Sequence, residues 1–324
     1  MNAKDFDLTV AWQGATIEAL NHIASEADNL GFGCMWIPEA WGLECFSTAS
    51  YLLCKTSKLR IGSGIVNVFS RSAALIGMSC ATMDQIAPGR FVLGLGSSGK
   101  ILVESFHGVK FSRPLERTKE YVSVIRKVTS GENVDFDGEL LKLSKFRLFT
   151  RPVRTQEIYL GAIGEKNLQL AGEICDGAIL TMYPLSRIME ASRIVGETKK
   201  LLTYLPTFVS SSKEELEKAK HVVAKNIAFY IASMGEYYHS NLRRLGYEDE
   251  VAKIIKAHKE MGRAGAALAI SEKLLDDLTL IGSQDEVKEK IAKLPKNVRA
   301  VLTFSVQSSE EVTSAISSLR AIGV

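Results

Sequence analysis

The sequence predicts an α/β protein, a (β/α)8 TIM barrel carrying a helical insertion. Short apolar runs alternate with segments of helical periodicity, those runs reach eight, and one long stretch before the last of them has no strand character. A six-stranded doubly wound sheet would leave two runs unplaced. The 324 residues are read as one barrel domain, 1–324, with the mostly helical insertion at about 212–277 and a smaller excursion at about 131–150.

Residues 6–11 form the first apolar strand, and 16–30 follow as a helix with Ile17, Leu20, Ala24 and Ala27 on one face. Gly31 and Gly33 end that helix, and 34–37 is the next apolar run, stopped by Pro38. The unit then repeats, with a helix at 46–54, a strand at 59–65, a helix at 73–86 and a strand at 90–95. Buried strands separated by helices require a parallel sheet with helices on its outer face. A Gly-, Ser- and Lys-rich connection at 96–113 leads to a helix at 115–129, after which Asp137-Gly138 marks a hairpin. The rhythm returns with strands at 157–160, 176–181 and 202–209 and helices at 165–174 and 185–199.

Ser212, followed by Glu214 and Glu215, caps the first helix of the insertion, where Leu216, Ala219, Val223, Ile227 and Ile231 recur at helical spacing. Gly235 and Gly246 punctuate further helices, with Phe229, Tyr230, Tyr237 and Tyr238 among them. A helix at 283–294, a strand at 298–304 and a helix at 308–319 close the chain.

A composition of 46% hydrophobic and 24% charged residues is that of a soluble globular protein. The formal charge is only +3 and there is no basic tract, so a nucleic-acid partner is not expected. Cys34, Cys45, Cys54, Cys80 and Cys175 stand singly and read as buried thiols of a reducing compartment. The first residues lack signal-peptide character, and no apolar run approaches the roughly 18–20 residues that span a bilayer. The expectation is a cytoplasmic protein with a small-molecule substrate and no membrane partner.

In a barrel of this kind chemistry gathers where strands end and helices begin. Those loops contain glycines, amides and hydroxyls and few acids. The five histidines are scattered, without a metal-binding spacing. Gly94-Leu95-Gly96-Ser97-Ser98 approaches G-x-S-x-G but lacks the nucleophile-elbow spacing, and no dinucleotide fingerprint opens the first unit. Gly161-Ala162-Ile163-Gly164 lies between a strand and a helix, where its amides can cradle a phosphate or simply make a packing turn. Trp12 and Trp41 suit one wall of a pocket for a flat ring, or a plug of core. Glu39, beside Trp41, is either a partly buried carboxyl suited to proton transfer or a salt-bridged one.

The stretches MWIPEAW, RIGSGIVNVFSRSA, ATMDQIAPGRFVLGLGSSGK, EIYLGAIGEKNLQLAGEICDGAIL and IGSQDEVKEKI resemble the bacterial-luciferase-like superfamily, over roughly residues 5–200 and 278–320. Within it the sequence looks most like methylenetetrahydromethanopterin reductase and related coenzyme F420-dependent enzymes. The resemblance implies hydride transfer between the deazaflavin F420 and an organic substrate, without a metal. It also implies a non-prolyl cis peptide at Gly64-Ile65, forming a bulge against the deazaflavin ring. By the same resemblance Asn67 and Arg71 contact the bound molecules or hold that loop. Gly96 and Ser97 fall at the cofactor mouth, and Gly161, Ala162, Gly164 and Thr181 match the cofactor-phosphate loop.

Two stretches depart from the reductase pattern. LTVAWQG lacks the carboxylate at the end of strand one, and Gly96-Ser97-Ser98-Gly99-Lys100 replaces a Gly-Pro-Gly-Asp series. Both touch the substrate or cofactor mouth and count against the pterin substrate more than against the cofactor, and they leave Glu39 as the residue for proton management. Two other readings compete: an FMN-dependent monooxygenase on the same barrel, and a barrel that binds a flavin or another protein without turnover. The family also implies a homodimer or higher homo-oligomer, for which Leu52, Leu53, Leu75, Ile76 and Met83 are interface candidates.

Overall fold

The structure, a computed structural model, describes residues 2–323, and all counts below refer to these. The first half runs β1 (Asp7–Val10), α1 (Ile17–Leu30), β2 (Cys34–Ile37), α2 (Cys45–Lys55), β3 (Arg60–Ser63), β4 (Val66–Asn67), α3 (Ala73–Ile86), β5 (Phe91–Gly96) and α4 (Pro114–Ser130). The hairpin β6 (Val134–Asp137) and β7 (Lys142–Phe146) follows, then β8 (Ile158–Gly161), α5 (Glu165–Ile174), β9 (Gly177–Thr181), α6 (Ile188–Val195) and β10 (Lys200–Val209). The insertion comprises α7 (Lys213–Ser233), α8 (Glu236–Leu242), α9 (Glu248–Leu268) and α10 (Glu272–Leu278). Last come β11 (Leu280–Gly282), α11 (Gln284–Ala292), β12 (Val298–Phe304) and α12 (Ser309–Gly323).

Strands pair in parallel in the order β1, β2, β3, β5, β8, β9, β10, β12, and β12 returns to β1 through Asp7↔Val301 to Val10↔Phe304. This is the closed eight-stranded barrel that the alternation of runs predicts. Besides the anticipated hairpin β6–β7, two strands lie outside the predicted eight. β4 pairs with β5 beyond the end of β3, and β11 continues pairing along the far end of β10 at Thr207↔Leu280. Both are too short to carry a period. The 96–113 connection contains a turn of π-helix, Leu102–Phe106.

Local chemistry sets the boundaries. Thr16 Oγ1 accepts from Ala19 N at 3.1 Å to start α1, and Gly31 ends it at φ 79°. Ser212 caps α7, and a Ser283/Glu286 capping box opens α11. Two interiors result. Between barrel and helices lies the main aliphatic core. Inside the barrel Cys34, Trp36, Val92, Tyr159, Ile179, Leu202 and Val301 pack together, with the Trp36 and Tyr159 rings edge to face at 5.6 Å. Trp36 fits because Gly62 has no side chain, since a Cβ there would stand 2.5 Å from Trp36 Cε3. Beneath, Trp36 Nε1 and Arg299 Nη1 donate to the two oxygens of the buried Asp7 at 2.9 and 2.8 Å. The barrel is therefore filled at its N-terminal end, and open space is left at the other.

Four of the cysteines are buried as expected, but Cys54 is exposed because it lies on the outer side of α2. Of the predicted interface residues, Leu52, Leu53, Ile76 and Met83 are core, where they pack α2 and α3 onto the barrel, and Leu75 alone is exposed. No helix of the described residues is long and apolar enough to cross a membrane.

Candidate functional site

At the C-terminal ends of the strands lies a cavity of about 1220 Å³. Trp12, Glu39, Gly64, Ile65, Gly96, Ser97, Gly161, Ala162 and Thr181, all anticipated from sequence, line it. One part of its lining is built from glycines. The Gly64–Ile65 peptide is cis, and the Ile65 side chain lies across Gly96 and Gly161. A Cβ on Gly96 would stand 3.2 Å from Ile65 Cδ1, and one on Gly161 3.3 Å from Ile65 Cγ2. Gly64 itself faces Tyr204, whose hydroxyl would be 2.2 Å from an added Cβ. These close approaches make an apolar shelf of backbone and one side chain. Beside it Ala162 N donates to Ile179 O at 2.9 Å, and Gly164 caps α5 with nothing within 4 Å of its absent Cβ. Thr181 ends β9 beside this turn.

Four anticipated residues lie outside the lining. Gly164 caps α5 between Ile163 and Asn167, which do line the cavity. Trp41 packs edge-on against Trp12, with ring centroids 5.4 Å apart, and is 39% exposed, so Trp12 stands between it and the space. Arg71 points away because it is held by acids: its Nη1 and Nη2 donate to Glu39 at 2.7 and 2.8 Å, and Nη2 donates to Glu44 at 2.5 Å. Cys45 N also donates to Glu39 Oε2 at 2.9 Å. Both Glu39 oxygens are thus committed, and the salt-bridged alternative describes this residue. A carboxylate clamped bidentately is held as an anion and orients its loop. Burial acts to raise the pKa of Glu44, but the N–H groups of Ser47 and Phe46 and the Arg71 charge outweigh it and hold it below the usual range.

Asn67 is buried and holds the loop. Its Oδ1 accepts from Phe69 N at 2.9 Å, which turns Nδ2 toward His107 Nε2 at 3.2 Å. The network thereby assigns His107 as neutral with its proton on Nδ1. Burial lowers the His107 pKa, Glu39 acts to raise it and Arg71 to lower it, with a net downward shift. Asn67 thereby ties the 97–113 connection, through His107, to the loop after the shelf.

Sequence reasoning missed Tyr204, Tyr230 and Tyr238, which also line the cavity. Tyr204 was legible as an inward position in the alternation of β10. Tyr230 and Tyr238 belonged to an aromatic group noted in the insertion, but only the fold brings α7 and α8 over the barrel mouth. The Tyr204 hydroxyl is buried without a hydrogen-bond partner. Among the described residues no three His, Cys, Asp or Glu side chains come together as a metal site.

The closed barrel with an apolar shelf and a large cavity at the C-terminal ends of its strands defines a (β/α)8 barrel of the luciferase-like type. The sequence matches the luciferase-like monooxygenase family over residues 6–298, and the chain belongs to that family. It is 27% identical over 290 residues to the 5,10-methylenetetrahydromethanopterin reductase of Archaeoglobus fulgidus, covering 86% of each chain. Its fold superposes on the coenzyme F420-dependent tetrahydromethanopterin reductase of Methanopyrus kandleri with a TM-score of 0.82 at 20% identity, covering 100% of this chain and 99% of the other. An F420-dependent secondary alcohol dehydrogenase in complex with an F420-acetone adduct gives a TM-score of 0.76 at 17% identity, covering 99% of both chains.

Proposed function

We propose that this protein is a coenzyme F420-dependent oxidoreductase that transfers a hydride between the deazaflavin and a small organic substrate. The observation that carries this reading is the shelf of Gly64, Ile65, Gly96 and Gly161, where missing side chains let Ile65 lie close across the strand ends and leave a low apolar surface lining the cavity for a flat ring. Relatives whose names specify F420 support the choice of deazaflavin. The shelf and Ser97 would hold the ring system. The turn Gly161-Ala162-Ile163-Gly164 and the first amides of α5 beyond Gly164, with the Thr181 hydroxyl, would take the cofactor phosphate, while the Ala162 N–H stays bonded to Ile179 O. When bound, the cofactor supplies the hydride chemistry. The chain's own part is to fix the ring's position, to keep the loop after β3 in place through Asn67 and the Glu39–Arg71 pair, and to exclude water with Trp12 and the helices α7 and α8.

Methylenetetrahydromethanopterin is the substrate that the reductase relatives suggest, although strand one offers Ala11, Trp12 and Gln13 in place of an acid. Anaerobic assays in which reduced F420 is consumed only when this pterin, or a simple ketone, is added test the reading. Consumption of reduced FMN and oxygen instead would overturn it. The protein would act as a homodimer, through the exposed apolar side chains Tyr51, Leu75, Met78 and Ile86 on α2 and α3.

A further inference from the structure

The cavity is larger than a flat ring at the shelf needs. Its volume of about 1220 Å³ exceeds the roughly 300–1,000 Å³ of an ordinary small-molecule site. Strand order shows where the excess lies. Gly64, Gly96 and Gly161 stand at the ends of β3, β5 and β8, and across the closed barrel from β3 and β5 come β10 and β12. Pairing of β10 with β12 stops at Pro206↔Thr303, while β10 runs on to Val209 and pairs there with β11. Between α7 and α12, the helices that follow these two strands, the cavity continues as an arm.

One wall of the arm is a single face of α7. Tyr230, Asn226, Val222, Ala219 and Glu215 recur at spacings of three or four residues, and all line the cavity. Trp12 Nε1 donates to Tyr230 Oη at 3.3 Å and fixes the inner end of this face at the barrel mouth. From Tyr230 to Glu215 the helix advances about 22 Å. The facing wall is α12, which lines the cavity from Ser309 to Ser318 over about 14 Å. Ser318 Oγ accepts from Val209 N at 3.2 Å and joins this wall to the end of β10. Val222 is 44% exposed, and Phe208, Val223 and Leu278 add further apolar lining. Among the described residues the side chains of Asn226, Ser309, Ser314 and Ser317 make no hydrogen bond. The charges are mostly paired: Glu215 accepts from Ser210 Oγ at 2.5 Å, Glu311 accepts from Ser305 Oγ at 2.6 Å, and Lys218 Nζ donates to Glu214 at 2.7 Å. Apolar stretches between unspent amide and hydroxyl groups, with no unpaired cation, suit an uncharged chain whose oxygens need partners when they leave water.

We propose that the arm between α7 and α12 binds the tail of the substrate, an uncharged chain of about 14 Å carrying hydroxyl, ether or amide oxygens, while the flat reacting head lies at the shelf. This deepens the oxidoreductase reading and rests on it for which end reacts, though not for the binding. The turn proposed for the cofactor phosphate lies at the ends of β8 and β9, so the cofactor's chain leaves on that side and the arm falls to the substrate.

Calorimetric titration of the protein with 2-phenoxyethanol and with tetraethylene glycol monophenyl ether, which share a head and differ in chain length, tests this without any turnover. The wild type should bind the longer ether at least about tenfold more tightly, because its added chain is buried in the arm. Ala219→Trp fills the arm from α7 and Ser314→Trp fills it from α12. Each should bring the two affinities together while retaining the thermal transition and the 2-phenoxyethanol affinity of the wild type. Equal affinities in the wild type, no binding heat from the longer ether, or a ratio unchanged in the folded variants would each overturn the proposal. Should one substitution unfold the chain, the other and the wild-type ratio still decide. Repeating the wild-type titrations with saturating F420 separates the two possible owners of the arm. A ratio that persists supports the substrate tail, and a ratio that F420 abolishes gives the arm to the cofactor's own chain and overturns the proposal. Failure to bind F420 would remove the oxidoreductase reading yet leave the chain-length ratio of the protein alone to be measured, so the two fail separately.

Discussion

Replacing Arg71 by methionine keeps most of the side chain's bulk and removes its charge from between Glu39 and Glu44. The Arg71 and Glu39 side chains are 17% and 9% exposed, and the guanidinium makes two bonds to Glu39 and one to Glu44. Stripping one partner from a buried pair costs about 3–5 kcal/mol, whereas an exposed pair contributes about 1 kcal/mol or less. The low exposure places this pair nearer the first case, and Cys45 N still supports the stranded Glu39, so the expected loss is about 2–4 kcal/mol. For 324 residues that corresponds to a fall in melting temperature of roughly 3–6 °C. Adding Glu39→Gln to Arg71→Met removes the uncompensated charge and should recover at least about half of the loss. Urea and thermal unfolding of the wild type, the single variant and the double variant measure both quantities. A fall below about 2 °C, or no recovery in the double variant, would refute the view that Glu39 is a clamped structural carboxylate.

Two further expectations concern the loops and the surface. The His107 pKa is lowered in the folded protein, so its contribution is present above the unfolded value of about 6.5 and is lost as pH falls through the lower folded value. Proteolytic cleavage within 97–113 should therefore accelerate as pH falls below about 6.5, and Asn67→Leu, which deletes the donor to the imidazole, should make cleavage fast both above and below that pH. A wild-type cleavage rate that stays flat as pH falls would show that the imidazole does not hold the segment. Met78→Lys places a charge in the exposed apolar face of α2 and α3, and sedimentation should show the wild type as a dimer and this variant as a monomer. A wild type that sediments as a monomer ends that proposal.

Much of the barrel was legible because buried parallel strands read as unbroken apolar runs and the helices between them keep a clean period. Residues 34–37, 73–86, 165–174 and 298–304 form elements with the bounds their patterns predict. β4 and β11 escaped because two or three residues carry no period. The glycines of the shelf stood out as punctuation in otherwise bulky runs, which is why Gly64, Gly96 and Gly161 were found. Their partners were not legible, since the contact of Ile65 with Gly96 and Gly161 joins three strands. Arg71 and Glu39 were each noticed, but their pairing, 32 residues apart, is a product of the fold. The same holds for Trp12 and Tyr230, separated by 218 residues.

The central claim is that the shelf and the loop beside it are shaped for a deazaflavin. Titrating the purified apo-protein with F420 and with FMN, followed by cofactor absorbance and fluorescence and repeated with Gly161→Val, tests it most directly. The account predicts that F420 binds at least about tenfold more tightly than FMN, a difference of about 1.4 kcal/mol, and that valine at 161, crowding Ile65, weakens it. Tighter binding of FMN, or saturation by neither cofactor, would contradict it.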